Sequence, residues 1–354
     1  KQFGKGIESY GTDAMRFTFC ALASTSRDIN FDLGRVEGYR NFCNKIWNAA
    51  RYVLMNTEGQ DCGADGGDLQ LSLADRWIWS RLQSTIAEFD KHIAEYRFDL
   101  ASNAVYEFIW NEYCAWYLEL SKPVLTSDES TDAEKRGTRH TLVNVLEHIM
   151  RLAHPMMPFI TEEIWQRVAP LTGNKNQTIM TEAFPLYKDN QFDQTSVDDL
   201  EWVKQVVVGV RNIRGEMDIS PKKAVPVILV NGNADDQRRL EQNRSFLMSL
   251  ANIESIGWHA PGDELPMSAT ALVGAMELLI PMAGLIDVEA EKARLNKEVE
   301  KLSKEQARIA GKLSNPNFAD RAPEAVVAKE KEKLAEVESA LTKLQEQLTQ
   351  LASL

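Results

Sequence analysis

The sequence predicts a mainly α protein: an antiparallel helical bundle, a small α/β unit and a C-terminal antiparallel coiled-coil hairpin. Three observations predict it. Between residues 35 and 190, apolar residues recur at helical spacing in one segment after another, with short breaks between. Between 191 and 285 the run Val225-Pro226-Val227-Ile228-Leu229-Val230, closed by Asn231-Gly232, has the composition of a strand. From 286 to 354 the apolar residues step by three and four, which is a heptad seam.

Residues 1–34 read as a connector, with helical spacing over 12–22 and a short extended or turn segment over 28–32. The bundle follows over 35–190. Its first helix holds the stretch Tyr39 to Arg51, and a glycine-rich loop over 57–67 ends that segment. Ser72 is placed to cap the next helix, with Asp75 at the third position and an apolar stripe of Trp77, Ile78, Leu82, Ile86 and Phe89. A long helix is expected over 99–120, with Val105, Phe108, Ile109, Trp116 and Leu120 inward and Pro123 as its stop. Thr131 opens a fourth helix that ends at His154-Pro155, and Pro158 and Thr161 open a fifth that ends near Pro170. Short connections of this kind imply antiparallel neighbours.

In the 191–285 unit, helices are expected over 200–217 and 234–251, strands over 225–230 and 253–259, and one or two more strands over 271–281. Arg211 and Arg214 lie three apart on one helical face. They suit phosphate, or equally a pairing with Glu216 or Asp218. In the hairpin, the first arm offers Val288, Leu295, Val299, Leu302, Ile309 and Leu313, interrupted by Lys292 and Gln306. The second answers with Leu334, Val337, Leu341, Leu344, Leu348 and Leu351, and the chain must turn over 314–323, where two prolines bar a continuous helix. Mixed charges along the first arm suit a solvated coil, and a dimerisation or spacer coil is the plain alternative.

Charge and cysteine usage limit the function. The formal net charge is −12, so the chain is not a generally basic nucleic-acid binder and is not suited to anionic membranes. Any nucleic acid must be held by local basic patches on an acidic body. Cys20, Cys43, Cys62 and Cys114 have neither Cys-x-x-Cys nor zinc-ligand spacing and read as buried, reduced thiols. His92, His140, His148 and His154 show no metal or nucleophile pattern. Trp77, Trp79, Trp110, Trp116 and Trp165 fall on or beside apolar stripes and read as core.

The helix around Tyr39–Arg51 carries the candidate site. At 100° per residue, Glu37, Arg40, Asn41, Asn44, Lys45, Asn48 and Arg51 share one side, and Phe42, Cys43, Ile46, Ala49, Ala50 and Val53 the other. Three asparagines on one helical face are unusual, because Asn competes with the helix backbone for hydrogen bonds. Beside Arg and Lys they supply amide donors and acceptors together with positive charge, the chemistry that reads unstacked bases and their phosphates. The plain alternative is the solvated face of an amphipathic helix.

This stretch closely resembles the first helix of the anticodon-binding domain of valyl-tRNA synthetases, a branch of the class I synthetases. The resemblance extends along nearly the whole chain. Tyr10-Gly11-Thr12-Asp13-Ala14-Met15-Arg16-Phe17 and Arg27-Asp28-Ile29-Asn30-Phe31-Asp32 precede the stretch. After it come Asp75-Arg76-Trp77-Ile78, Phe108-Ile109-Trp110-Asn111-Glu112 and Trp116-Tyr117-Leu118-Glu119. His154-Pro155-Met156-Met157-Pro158-Phe159, Thr161-Glu162-Glu163-Ile164-Trp165, Asn317-Phe318 and Arg321-Ala322-Pro323-Glu324-Ala325-Val326-Val327 complete the series. Ala115, where the family usually has Asp, and Ser26, where glycine is commoner, depart from it.

The resemblance implies a bundle of the class I anticodon-binding type and a cytoplasmic, monomeric protein. Its partner would be valine tRNA, with no DNA and no membrane. Arg40, Asn41, Phe42, Asn44, Lys45, Asn48 and Arg51 would meet the anticodon. Arg211, Arg214, Lys297, Lys301, Lys304 and Arg308 would meet the tRNA backbone or its outer corner. The His-x-Gly-His and Lys-Met-Ser-Lys-Ser sequences that handle ATP in class I synthetases do not occur. The expectation is therefore the tRNA-recognition part of a longer valine–tRNA ligase, with no catalytic or metal-binding residue and no cofactor of its own; ATP and Mg²⁺ serve the intact enzyme. The equivalent part of isoleucyl-tRNA synthetase is an alternative that the heptad tail disfavours. A helical scaffold with a dimerising coil is a reading from a different class.

Overall fold

Reciprocal side-chain caps start two of the bundle's helices. The Ser72 hydroxyl accepts the backbone N–H of Asp75, whose carboxylate accepts the backbone N–H of Ser72 in return. Thr131 and Glu134 repeat the arrangement. Each pair satisfies donors that a helix start leaves open. The computed structural model describes residues 6, 8–25, 28–260, 262–282 and 288–314, and residues 327, 330–334, 337, 338, 341, 342 and 345 of the last arm. The chain divides into two units, one of residues 1–207 with 237–251, the other of residues 208–236 with 252–354.

The first unit is helical. In chain order it holds α1 (Thr12–Leu22), α2 (Leu33–Thr57), α3 (Leu73–Ala94), α4 (Phe98–Glu107), a π-helix (Phe108–Tyr117), α5 (Leu118–Thr126), α6 (Asp132–Ala153) and α7 (Pro158–Val168). Its core is the sum of the apolar stripes: Phe17, Phe42, Ile46, Trp77, Ile78, Leu82 and Trp165 are each at most 1% exposed. Gly137 lets the loop before α3 cross α6 closely, since a Cβ there would lie 2.3 Å from the Gln70 carbonyl oxygen.

The segment read as one long helix over 99–120 is three pieces in one line, and two expectations fail there. The π-helix winds with i→i+5 bonds, so its buried side chains are Phe108, Ile109, Tyr113 and Tyr117. Trp116, expected inward from α spacing, is only half-buried. Pro123 does not stop the helix but lies inside α5, which runs on to Thr126. The wider winding carries Tyr117 to the one fully buried carboxylate of α3. Asp75 accepts the Tyr117 hydroxyl at 2.7 Å and the Thr138 hydroxyl at 3.0 Å, besides the bonds of the cap. Burial pushes the Asp75 carboxyl up against the pull of these donors.

A second buried carboxylate behaves oppositely. Glu147 in α6 is 4% exposed and accepts the indole N–H of Trp165 at 2.8 Å and two guanidinium N–H bonds from Arg151 at 3.0 and 2.7 Å. Burial alone would raise it; the bonds from His148, Arg151 and Trp165 and the Arg151 charge outweigh burial and bring it down to about 2.

The second unit contains a mixed four-stranded sheet in the order β2-β1-β4-β3, built from β1 (Val225–Val230), β2 (Ile253–His259), β3 (Ser268–Val273) and β4 (Met276–Pro281). β1 and β2 are parallel, joined in sequence through α9 (Ala234–Ala251), while β4 lies antiparallel to both β1 and β3. The preceding helix, α8, spans Gln194–Glu216. The sequence reading of two strands flanking a helix holds, and the 271–281 region is a full hairpin from 268 to 281. The last helix, α10, spans Val288–Ser314. Gln306 bonds Glu338 and Lys312 bonds Glu330, pairs whose numbers rise and fall in opposite directions, so the two arms run antiparallel. Ile309 and Leu341 are buried on the seam, 2% and 6% exposed. Residues 315–323 of the expected turn, and Leu344, Leu348 and Leu351, lie outside the described residues.

Candidate functional site

α2 is 25 residues long, opened by the Asp32 carboxylate, which accepts the Gly34 N–H at 2.8 Å. Its two faces separate as the spacing predicts. Arg40, Asn41, Asn44, Asn48 and Arg51 are exposed, and Phe42, Ile46, Ala49, Ala50 and Val53 are buried. Phe42 must be removed from the candidate contacts. It is 0% exposed and packs among Phe17, Tyr106 and Trp110, at ring-centroid distances of 5.3, 4.8 and 6.2 Å, so it holds the helix to the bundle and meets no ligand.

The exposed side is two stripes. Arg40, Asn44, Trp47 and Arg51 follow i, i+4, i+7, i+11 and fall within about 60° of one another. Asn41, Lys45, Asn48 and Tyr52 form the second stripe, a quarter-turn round. The second stripe is partly engaged by the π-helix and α5. The Lys45 ammonium donates to the Trp110 carbonyl at 3.2 Å and sits 3.7 Å above the Trp110 ring. Burial pulls its pKa down. The Trp110 ring stacks in turn on Tyr106, with centroids 5.6 Å apart and planes at 14°. Tyr52 and Ser121 share a hydrogen bond of 2.9 Å.

The first stripe borders α7. A cavity of about 290 Å³ is lined by Tyr10, Asp13, Arg40, Cys43, Asn44 and Phe159 among others, and the Arg40 guanidinium lies 5.5 Å from the Tyr10 ring centre. One to two turns further on, a shallow dent of about 40 Å³ lies between Trp47, Arg51, Glu163 and Arg167. Trp47 is 41% exposed and Phe159 64%. Sequence reading missed both. Trp47 falls on the polar side of the helical wheel, and Phe159 sits at the second position of α7, beside the Pro that opens it, a place that faces solvent.

The thiols offer no nucleophile here. Burial pushes Cys43 and Cys114 up to about 12, and both stay protonated at neutral pH. Of the four cysteines only Cys62 is buried outright; Cys20, Cys43 and Cys114 are half-buried, against the expectation of four buried thiols.

In the second unit, Arg214 is a further correction. It is 6% exposed, and its guanidinium donates to the carbonyls of Ser220, Lys223 and Asn252 at 2.9, 2.7 and 2.9 Å. It organises the turn that leads into β1 and does not present itself to a phosphate. Arg211 is exposed. Lys297, Lys301, Lys304 and Arg308 are all exposed along α10, Lys304 paired to Glu300 at 2.6 Å and Arg308 to Glu305 at 3.4 Å. Pairs this exposed exchange readily for another anion.

Residues 75–229 match the family described as the anticodon-binding domain of tRNA ligase. That match spans somewhat under half of the chain. Residues 287–352 match a second family, the valyl tRNA synthetase tRNA binding arm. The two are tRNA-recognition domains of aminoacyl-tRNA synthetases. α2 precedes the first matched span and packs against it, through the contacts of Phe42 with Tyr106 and Trp110, of Lys45 with Trp110 and of Tyr52 with Ser121. Among solved structures, the chain is similar to the LeuRS of a LeuRS–tRNA–LeuAMS ternary complex from Agrobacterium radiobacter K84, at 15% identity and a TM-score of 0.35. The similarity covers 72% of this chain and 29% of that one.

Proposed function

We propose that this chain is the tRNA-recognition portion of a valine–tRNA ligase, and that the exposed face of α2 reads the anticodon of valine tRNA. The observation that carries the reading is the joint exposure of Arg40, Asn41, Asn44, Asn48 and Arg51 on a helix whose opposite face is locked into the bundle. Amides able to donate and accept stand between guanidinium groups, held in place before any ligand arrives. The antiparallel arms supply the second contact, with Lys297, Lys301, Lys304 and Arg308 toward the phosphates of the tRNA outer corner. The ligase reaction itself, joining valine to tRNA with ATP and Mg²⁺, belongs to the intact cytoplasmic enzyme, and the residues of this chain contribute binding. A monomer fits arms whose apolar seam, with Ile309 and Leu341, is satisfied within one chain.

The test is a gel-shift titration of the chain with valine tRNA against isoleucine tRNA. Valine tRNA should bind more tightly, and Asn44→Ala with Arg51→Ala should weaken it by roughly tenfold or more while thermal unfolding stays within about 0.5 kcal/mol of the parent. Equal binding of both tRNAs removes the valine assignment. Unchanged affinity in both variants returns the α2 face to a solvated surface.

A further inference from the structure

We infer that the groove between α2 and α7 is a base-receiving site, in which Phe159 and Trp47 are stacking platforms for successive unstacked nucleotides. The inference rests on the tRNA reading above and adds to it the groove and its aromatic residues. On one wall, the stripe Arg40, Asn44, Trp47, Arg51 runs about 16 Å along the helix at 1.5 Å per residue. On the other, Phe159 and Arg167 project from α7 at i and i+8. Both are large aromatic side chains that stand beside arginines or an amide in the two concavities along this line. Phe159 at 64% and Trp47 at 41% exposure leave most or much of a ring surface open. A base stacks on such a face whatever its identity, and cationic groups along the same line follow the backbone.

The charge of the groove supports an RNA strand as occupant. Arg40, Arg51 and Arg167 line it, and Arg167 is paired with Glu163 at 3.8 Å, some 60% exposed on both sides. Asp13 also lines the cavity, but its carboxylate is already bound to the backbone N–H groups of Phe159 and Ile160 at the start of α7. It therefore meets an incoming phosphate with its charge offset by the helix terminus. The larger cavity, about 290 Å³ with the Asn44 amide in its wall, takes one base edge-on to the amide; the shallower dent by Trp47 leaves its neighbour lying over the indole. Asn44 supplies two donors and an acceptor, so it favours a base that presents both.

The experiment uses the full chain and two RNAs, valine tRNA and its anticodon stem-loop carrying 2-aminopurine in the loop. Phe159→Ala should weaken both by about 5- to 100-fold and relieve the quenching of the fluorescent base, while Phe159→Tyr, which keeps a π face, should retain both signals. Trp47→Ala should act in the same direction. The Phe159 side chain is mostly in solvent, and the cap bond uses its backbone, so an unchanged melting temperature is expected. If Phe159→Ala and Trp47→Ala bind as the parent does while Asn48→Ala, on the other stripe, loses affinity, the groove inference is overturned and anticodon reading by α2 stands. If the parent chain binds no tRNA, the proposed function falls and the groove falls with it.

Discussion

Asp13 caps a helix that begins 145 residues after it. Its carboxylate accepts the Ile160 N–H at 2.7 Å and the Phe159 N–H at 3.2 Å, while Arg16, one turn on in α1, donates to the carbonyls of Pro155 and Met156 at 2.9 and 3.3 Å. α7 opens with Pro158 and has no capping side chain from its own N-cap residue, Met157. α1 supplies the missing acceptor and the opposing donor. Asp13→Ala should therefore cost about 1–2 kcal/mol in urea unfolding, and Asp13→Asn less, because an amide oxygen still accepts. A loss below about 0.3 kcal/mol for Asp13→Ala would mean that α7 is set by packing alone.

Glu147 gives the bundle an acid limit. Its folded-state pKa, about 2, lies below its ordinary value of 4.5. A depressed carboxyl stabilises the folded state above its unfolded pKa, and that stabilisation is lost as pH falls from about 4.5 through 2. The shift corresponds to about 3 kcal/mol. Glu147→Gln should keep the Trp165 bond, leave Arg151 without its charge partner, lower stability at pH 7 and flatten the stability profile between pH 4.5 and 2. An unaltered acid limb in the variant would show that other carboxylates set it.

Arg214 should behave as a structural residue. Arg214→Gln removes donors to the carbonyls of Ser220, Lys223 and Asn252 and should cost on the order of 2–3 kcal/mol. The salt dependence of tRNA binding, measured on the folded variant, should keep its slope. A slope reduced by about one unit would instead restore Arg214 as a phosphate contact.

Deleting residues 286–354 should leave the bundle folded, because the arms bury their seam against each other. It should weaken tRNA binding and flatten its salt dependence, by about 0.7–0.9 for each phosphate that the arms no longer neutralise. The same affinity and slope in the truncated protein would make the arms a spacer.

The caps, the strands and the faces of α2 were legible because each rests on a local rule. Ser72 with Asp75 is readable from its spacing alone, and so is the alternation of Phe42, Ile46 and Val53 against Asn41, Asn44 and Asn48. What was not legible depends on partners far along the chain. Trp116 was misplaced because spacing assumes α winding, and nothing near Phe108–Tyr117 announces a π-helix. The sequence leaves Arg214 open between phosphate and a pairing with Glu216 or Asp218, and neither shows its three acceptors, which are backbone carbonyls without a side-chain signature. Phe42 was put among the contacts by a resemblance, although its position on the apolar side of the wheel already argued against it. The groove with Phe159 needed two helices more than 100 residues apart to be placed side by side.

The ten-residue π-helix also sets where this protein tolerates a change in length. Each residue there turns the chain less than an α residue does, so the segment fixes the angle at which α5 leaves it. Losing one residue between Phe108 and Tyr117 would rotate Leu118, Leu120 and Ser121 away from their buried side and carry the Tyr117 hydroxyl off Asp75. The loop between α2 and α3 is mostly exposed and has no helical phase to keep; it is tied to α6 by the bonds of Asp61 and Asp68 to Arg136, of the Gln70 N–H to the Ala133 carbonyl and of the Cys62 carbonyl to His140. Among homologous chains, gaps should gather in that loop and be missing from 108–117, a pattern of insertion and deletion that follows from helical winding and owes nothing to RNA.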